Sequence, residues 1–417
     1  MSEGTPSQPI DDPDEFIPGG PIRVRLFGRT DVGQVREHNE DNFIVADLTR
    51  KSRGLMEGDR TQLVGPRGTL MGVCDGMGGA AAGEVASQLA VDIIFERMSD
   101  SEAPKDRDDI ARRIVRSIEE AGSRIYQEAK ADRTRRGMGT TSTIAALVDD
   151  YLFLGQVGDS RAYVLRGTRF AQVTRDQSLV NQLIEAGQLT EEEAETFEHN
   201  NIILQALGTS DSVQVDLTYV ELRRGDVLMV CSDGLSGMVR ADELKDILTN
   251  ASDPLDACKL LTEKANQAGG HDNITCIVAK FEGQGLKPPK PEDPELKYRK
   301  YALPEEGGAT TADQTQPTHR GAVDGLRLPS GERLSDHGPS QSKMGNTVVG
   351  LNIADIEGRL PPGSLDPKKP SSRPPPPAGG DDPVELPIPA TPPWMVGLWV
   401  VIAIAVVGAA GFWLLRP

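Results

Sequence analysis

Short runs dense in apolar residues recur between polar stretches along the chain: residues 22–28, 42–46, 69–74, 141–148, 151–157, 162–166, 215–221, 227–231 and 274–280. Each is rich in β-branched or aliphatic residues and most are bounded by Gly, Asp or Asn, a pattern that predicts strands. Between some of them apolar residues recur with the period of a helix. Residues 84–98 place Ala86, Leu89, Ala90 and Ile93 on one face, and residues 108–131, 178–186 and 254–268 read the same way. Many strands joined mostly by short turns, with a few long helices between them, predict antiparallel pairing and an α+β domain.

The pattern begins near residue 22 and stops near 282. Residues 1–21 form an acidic, proline-bearing lead-in with neither a basic start nor an apolar run, unlike a secretion leader. Residues 283–393 carry most of the chain's 30 prolines, including Pro374-Pro375-Pro376-Pro377, without a sustained hydrophobic period. That composition predicts a disordered linker. A short apolar island within it, Thr347-Val348-Val349-Gly350-Leu351-Asn352-Ile353, is read as linker with no assigned role in preference to the alternative, a docking segment. Residues 394–415 then run without a charge. At about 1.5 Å per residue they are long enough to cross a hydrocarbon core of about 30 Å, and Trp394, Trp399 and Trp413 lie near the ends, where indole favours the interface. The expected organisation is a lead-in at 1–21, a folded domain at 22–282, a linker at 283–393 and a single transmembrane helix at 394–415. Lys368, Lys369 and Arg373 favour a cytoplasmic domain; Asp381, Asp382 and Glu385, closer to the span, weaken that bias.

Charge and cysteine usage narrow the function. With 63 acidic and 45 basic residues the formal net charge is −18, which argues against nucleic acid as a partner, because phosphate neutralisation needs a basic face. Cys74, Cys231, Cys258 and Cys276 include no CxxC pair and no thiolate loop followed closely by arginine, so they read as reduced core residues.

The candidate chemistry lies at strand ends. Asp75 follows an apolar strand in Val73-Cys74-Asp75-Gly76-Met77-Gly78-Gly79, where Gly76 lets backbone approach an ion closely. Asp159, Asp233 and Asp272 sit at comparable positions, and Asp41 follows Asn39-Glu40. Each alone is more often a turn former than a ligand. Together they offer hard oxygen donors without a histidine or cysteine cluster, a set suited to Mg²⁺ or Mn²⁺. Two such ions about 3.5–4 Å apart can activate water for attack on phosphorus.

In order and spacing these residues resemble the metal-dependent protein phosphatase (protein phosphatase 2C) family, in its bacterial branch. The resemblance rests on Asp31-x-Gly33-x-x-Arg36-x-x-Asn39-Glu40-Asp41, Asp75-Gly76-Met77-Gly78-Gly79 with Gly83-Glu84, Gly137-Met138-Gly139-Thr140-Thr141, Gly158-Asp159-Ser160-Arg161, Thr174-x-Asp176-x-Ser178, Ala206-Leu207-Gly208, Ser232-Asp233-Gly234 and Asp272-Asn273-Ile274-Thr275. It implies a four-layer αββα sandwich of two antiparallel sheets flanked by helices, with the metals at one end. It also implies that Asp75 bridges two Mn²⁺ or Mg²⁺ ions with the Gly76 carbonyl on one of them, that Asp233 and Asp272 complete a shell, and that Asp41 is a ligand with Glu40 behind it. Asp159, with Asp233, would hold a weaker third ion. Arg36 matches the arginine that clamps the substrate phosphate. Met77 stands where many relatives carry a histidine acid, and Gln177 replaces another family histidine at a position read as peripheral. The region 187–201 corresponds to a mobile flap near the site. His38 and His271 are read as neighbours and not as ligands.

The expected function is therefore a serine/threonine protein phosphatase acting by attack of a metal-bridged hydroxide on phosphoserine and phosphothreonine. It would oppose serine/threonine kinases, and act on them and their substrates, at the cytoplasmic face of the cell membrane. The competing reading is a catalytically inactive phosphoprotein-binding module or membrane signalling adaptor. The complete set Asp75, Asp233 and Asp272 disfavours the inactive module, and partner capture by the isolated linker would single out the adaptor.

Overall fold

A computed structural model describes residues 15–54, 61–78, 82–194, 197, 201–304 and 348–349. In chain order the strands are β1 (Arg23–Asp31), β2 (Asn42–Asp47), β3 (Ser52–Arg53), β4 (Thr61–Leu63), β5 (Thr69–Cys74), β6 (Gly76–Met77), β7 (Gly139–Thr140), β8 (Ser142–Val148), β9 (Tyr151–Val157), β10 (Arg161–Arg166), β11 (Arg169–Gln172), β12 (Ile202–Ile203), β13 (Asp216–Glu221), β14 (Val227–Cys231), β15 (Ile274–Glu282) and β16 (Val348–Val349). The helices are α1 (Ala82–Asp100), α2 (Arg107–Ala131), α3 (Leu179–Glu185), α4 (Glu191–Ala194), α5 (Asp233–Ser236), α6 (Ala241–Asn250) and α7 (Pro254–Gln267).

Two six-stranded antiparallel sheets form the body, in the orders β11-β10-β14-β15-β1-β4 and β13-β9-β8-β5-β2-β3. Strand alternation explains why they stack. In β15, Ile277, Ala279 and Phe281 face a core shared with Met71 and Val73 of β5, Ala145 and Leu147 of β8, and Val164 of β10. Cys276 and Val278, of opposite parity, meet Leu244 of α6 and Cys258 and Leu261 of α7. On the other side, Ile44, Leu70, Ile144 and Phe153 meet Ala90, Ile94, Ile114 and Ile118 of α1 and α2. Strands apolar on both faces need cover on both, and the result is helix, sheet, sheet, helix, as expected. All four cysteines are buried and free.

Several boundaries differ from the sequence reading. Pattern alone missed α6, whose Leu244 and Leu248 are its two buried positions in a ten-residue element. Two short strands, β3 and β4, lie in the connection 50–68, where no strand is predicted. The domain also exceeds 22–282 at both ends. Ile17 N–H donates to the Gln284 carbonyl, and Gly285 N–H to that of Pro21. Beyond β15, Leu286 and Leu296 are buried in the inter-sheet core, while Tyr301 N–H donates to Leu217 O along β13. A proline-rich composition hid these contacts, because extended segments that pack by a few large side chains carry no period. The apolar island is likewise engaged: Val348–Val349 pairs in parallel with Ile202–Ile203. Expectations for 305–347 and for the span 394–415 lie outside the described residues. Among the described residues no helix is long and apolar enough to cross a membrane.

Candidate metal centre

The turn after β5 is held from three directions. Asp75 N–H donates to Thr141 Oγ1 at 2.9 Å, and the Asp75 carbonyl accepts from Thr141 N–H at 2.8 Å and Thr140 Oγ1 at 2.9 Å. Gly76 N–H donates to the Glu40 carbonyl at 3.1 Å. A Cβ on Gly76 would stand 2.3 Å from the carbonyl oxygens of Glu40 and Gly83, so only glycine fits between these backbones. Gly83 is equally constrained, because its Cβ would lie 2.8 Å from the Glu40 carboxyl carbon.

Asn273 and Ser232 place the other carboxylates. Buried Asn273 accepts from Glu40 N–H at 2.7 Å and donates to the carbonyls of Val32 and His38 at 3.0 and 2.9 Å, pinning the segment that carries Arg36, Glu40 and Asp41. The Ser232 hydroxyl donates to Asp41 Oδ2 at 2.8 Å and accepts from Thr275 N–H at 3.0 Å. Asp233 begins α5, Asp272 precedes β15, and Asp159 follows Gly158, whose φ of +102° favours glycine. Gln177 is less peripheral than expected: its side chain accepts from Gly158 N–H at 2.9 Å, and its backbone N–H donates to the Gly158 carbonyl.

Strand ends of both sheets thus bring the sequence-predicted acids within electrostatic range of one another. Burial, then Asp41, Asp233, Asp272 and Asp159 in turn, push the Asp75 carboxyl well above its ordinary range. Asp159 is raised well above that range by burial and by Asp233 and Asp176, and Asp233 is raised by burial and by Asp272. Burial also pushes Asp41 up, to about 8, against the hydrogen bonds from Thr275 and Ser232. Glu40 is raised by burial and lowered by Arg36. Arg36 Nη2 meets Asp272 Oδ2 at 2.6 Å, and Asp272, Glu40 and Asp75 raise its pKa in spite of its desolvation. Among the described residues no three histidine, cysteine or carboxylate side chains close as a complete shell, and Asp272 is engaged by Arg36. The donor chemistry nevertheless fits a hard divalent cation, because the mutual repulsion that raises these carboxyls is the interaction a cation reverses. His38 and His271 are both exposed.

A sequence profile described as Protein phosphatase 2C matches residues 49–267, a span that includes Asp75, Asp159 and Asp233. This chain belongs to the protein phosphatase 2C family. Among its relatives, the serine/threonine phosphatase stp of Listeria welshimeri is 35% identical over 250 residues, 60% of this chain and 93% of that protein. Protein phosphatase PhpP of Streptococcus pneumoniae is 37% identical over 249 residues, covering 60% of this chain and 94% of the relative. The solved Mycobacterium tuberculosis serine/threonine phosphatase PstP/Ppp superposes with a TM-score of 0.54 at 33% identity, covering 62% of this chain and 99% of that one. A PstP catalytic domain in complex with two manganese ions superposes at 0.52 with 31% identity, covering 63% and 99%. As a family member, this phosphatase departs from pure pattern reading chiefly at Asn273 and Ser232. Their local signal was only adjacency to the acids they position.

Proposed function

We propose that this chain is a Mn²⁺- or Mg²⁺-dependent protein-serine/threonine phosphatase working at the cytoplasmic face of a membrane. The observation that carries the enzymatic reading is the gathering of Asp41, Asp75, Asp159, Asp233 and Asp272 at strand ends of both sheets, beside Arg36. Asp75, the Gly76 carbonyl, Asp41, Asp233 and Asp272 are the groups to hold two ions, with Asp159 and Asp233 for a third and Glu40 buttressing the loop. Bound divalent ions would supply Lewis-acid polarisation of the phosphate and of the attacking water. Arg36 offers a planar guanidinium that can bond two phosphate oxygens, exchanging Asp272 for the substrate. Met77 cannot move a proton, so the proton that the leaving serine or threonine oxygen takes up comes from a group other than residue 77. The membrane reading is supported by the uncharged run 394–415 and its tryptophans, and phosphorylated kinases and their substrates at that surface are the partners it implies.

Hydrolysis of p-nitrophenyl phosphate and of a phosphothreonine peptide, with added Mn²⁺ or with chelator, tests the reading. Activity should require the metal. Asp75→Asn should lower it by at least about a hundred-fold while the far-UV circular dichroism stays unchanged. Arg36→Ala should raise KM for the peptide about ten- to a hundred-fold. Chelator-insensitive turnover would sink the metal mechanism, and an unchanged KM would remove Arg36 from the phosphate.

A further inference from the structure

Beside the metal-carrying turn lies a cavity of about 660 Å³ whose lining includes Met77, Gly78, Tyr126, Lys130, Arg133 and Arg136. The three cations are exposed, and among the described residues none makes an ion pair. Among the described residues Lys130 meets only the Tyr126 ring, 5.4 Å from its Nζ. Neighbouring Arg135 behaves differently, turning back to Glu128 and Asp132 at 3.5 Å each. Positive charge is therefore left unsatisfied on the cavity side in a chain whose net charge is −18.

The cavity is coupled to the reaction centre by backbone. The segment bearing Arg133 and Arg136 runs into β7, which pairs with β6 in the register Gly76↔Thr140 and Met77↔Gly139. Thr140 and Thr141 in turn hold the Asp75 carbonyl. The cavity's lining includes Met77 and Gly78, so its cationic wall lies beside the turn that carries Asp75 without including Asp75 itself. Arginine guanidinium is suited to phosphate and carboxylate oxygens, and an aromatic face beside it can take a flat or apolar neighbour. An acidic protein gains most from such a wall, since its overall field repels an anionic substrate.

We propose that this cavity is a subsite for a second anionic side chain of the phosphoprotein substrate, a phosphoserine or phosphothreonine flanking the one being hydrolysed. The inference rests on the phosphatase reading above and names the substrate class: segments phosphorylated at more than one position. The test compares kcat/KM of the full chain, with Mn²⁺, on peptides of one sequence that carry a scissile phosphothreonine. Their second position, moved along the peptide in steps, is phosphothreonine, glutamate or alanine. The doubly phosphorylated peptide should exceed the alanine peptide about ten-fold at the favoured spacing, with glutamate between them. In Arg133→Ala/Arg136→Ala that ratio should fall towards one, while Arg133→Lys/Arg136→Lys should keep most of it. Both arginines are exposed, so folding is not at stake. Equal rates at every spacing, or a ratio that survives the double alanine variant, would overturn the subsite and leave the phosphatase assignment standing. Failure to hydrolyse any of the peptides would instead overturn that assignment.

Discussion

At the scale of single residues, the metal centre depends on groups too small to register as functional. Gly76 and Gly83 bring two backbone segments against Glu40 so closely that a methyl group on either would displace it. Asn273 spends its side-chain hydrogen bonds on the loop that carries Arg36 to Asp41. Gly83→Ala should therefore act as a metal-site mutation although it removes no ligand. Overpacking of this kind costs about 1–3 kcal/mol, and the strain falls on Glu40 and the Gly76 carbonyl. We expect calorimetric titration with Mn²⁺ to show weakened binding, together with reduced phosphatase activity. Unaltered Mn²⁺ affinity would mean that the Glu40 backbone moves freely enough to absorb the methyl.

At the scale of elements, the periodic strands and long helices were legible, and the ends of the domain were not. Residues 69–74, 151–157 and 227–231 were read with the boundaries of β5, β9 and β14, because both faces of each are buried and the apolar run stops where the turn begins. The strap after β15 has no such run. It is held by particular pairs: the Tyr301 ring lies edge-on to Phe153 and Tyr219 at 5.1 and 5.4 Å, its hydroxyl donates to Asp108 Oδ1 at 2.7 Å, and half-buried Asp293 meets buried Arg223 at 3.0 Å. A chain ending at residue 282 should accordingly unfold at a temperature at least about 5 °C below one ending at 304, as losing two or more kcal/mol from a domain of this size requires. Coincident calorimetric midpoints would show that the strap contributes nothing to the body it covers.

At the scale of the whole molecule, the folded body is followed in sequence by a proline-rich segment and by the run 394–415, which carries no charged residue. If residues 394–415 span a bilayer, the tether confines the enzyme near membrane-bound phosphoproteins and raises their effective concentration without a new contact at the active site. Deleting 394–417 should then leave kcat on a soluble phosphopeptide unchanged and move the protein from the membrane pellet to the cytosol. Full-length protein should resist both high-salt and alkaline washing. Its release by salt alone would exclude a spanning helix.

Sequence by itself determined the elements whose chemistry repeats locally: two-sided apolar strands, amphipathic helices, and acids on glycine turns at strand ends. It also carried the family resemblance through Asp75, Asp233 and Asp272, because a hard-cation site needs oxygen donors whatever the packing, and through Arg36, because a guanidinium suits phosphate oxygens. Only tertiary structure decided what depends on distance between segments remote in the chain. Arg36 meets Asp272 across 236 positions, Ser232 reaches Asp41 across 191, and Val348–Val349 finds Ile202–Ile203. The cationic cavity is of the same kind. Lys130, Arg133 and Arg136 look like an ordinary solvated helix end until β7 pairs with β6 and sets them beside Met77 and Gly78. Hydrophobic periodicity reports which face of an element is buried, but it holds no information on which polar group will stand opposite, and that pairing is where the site is built.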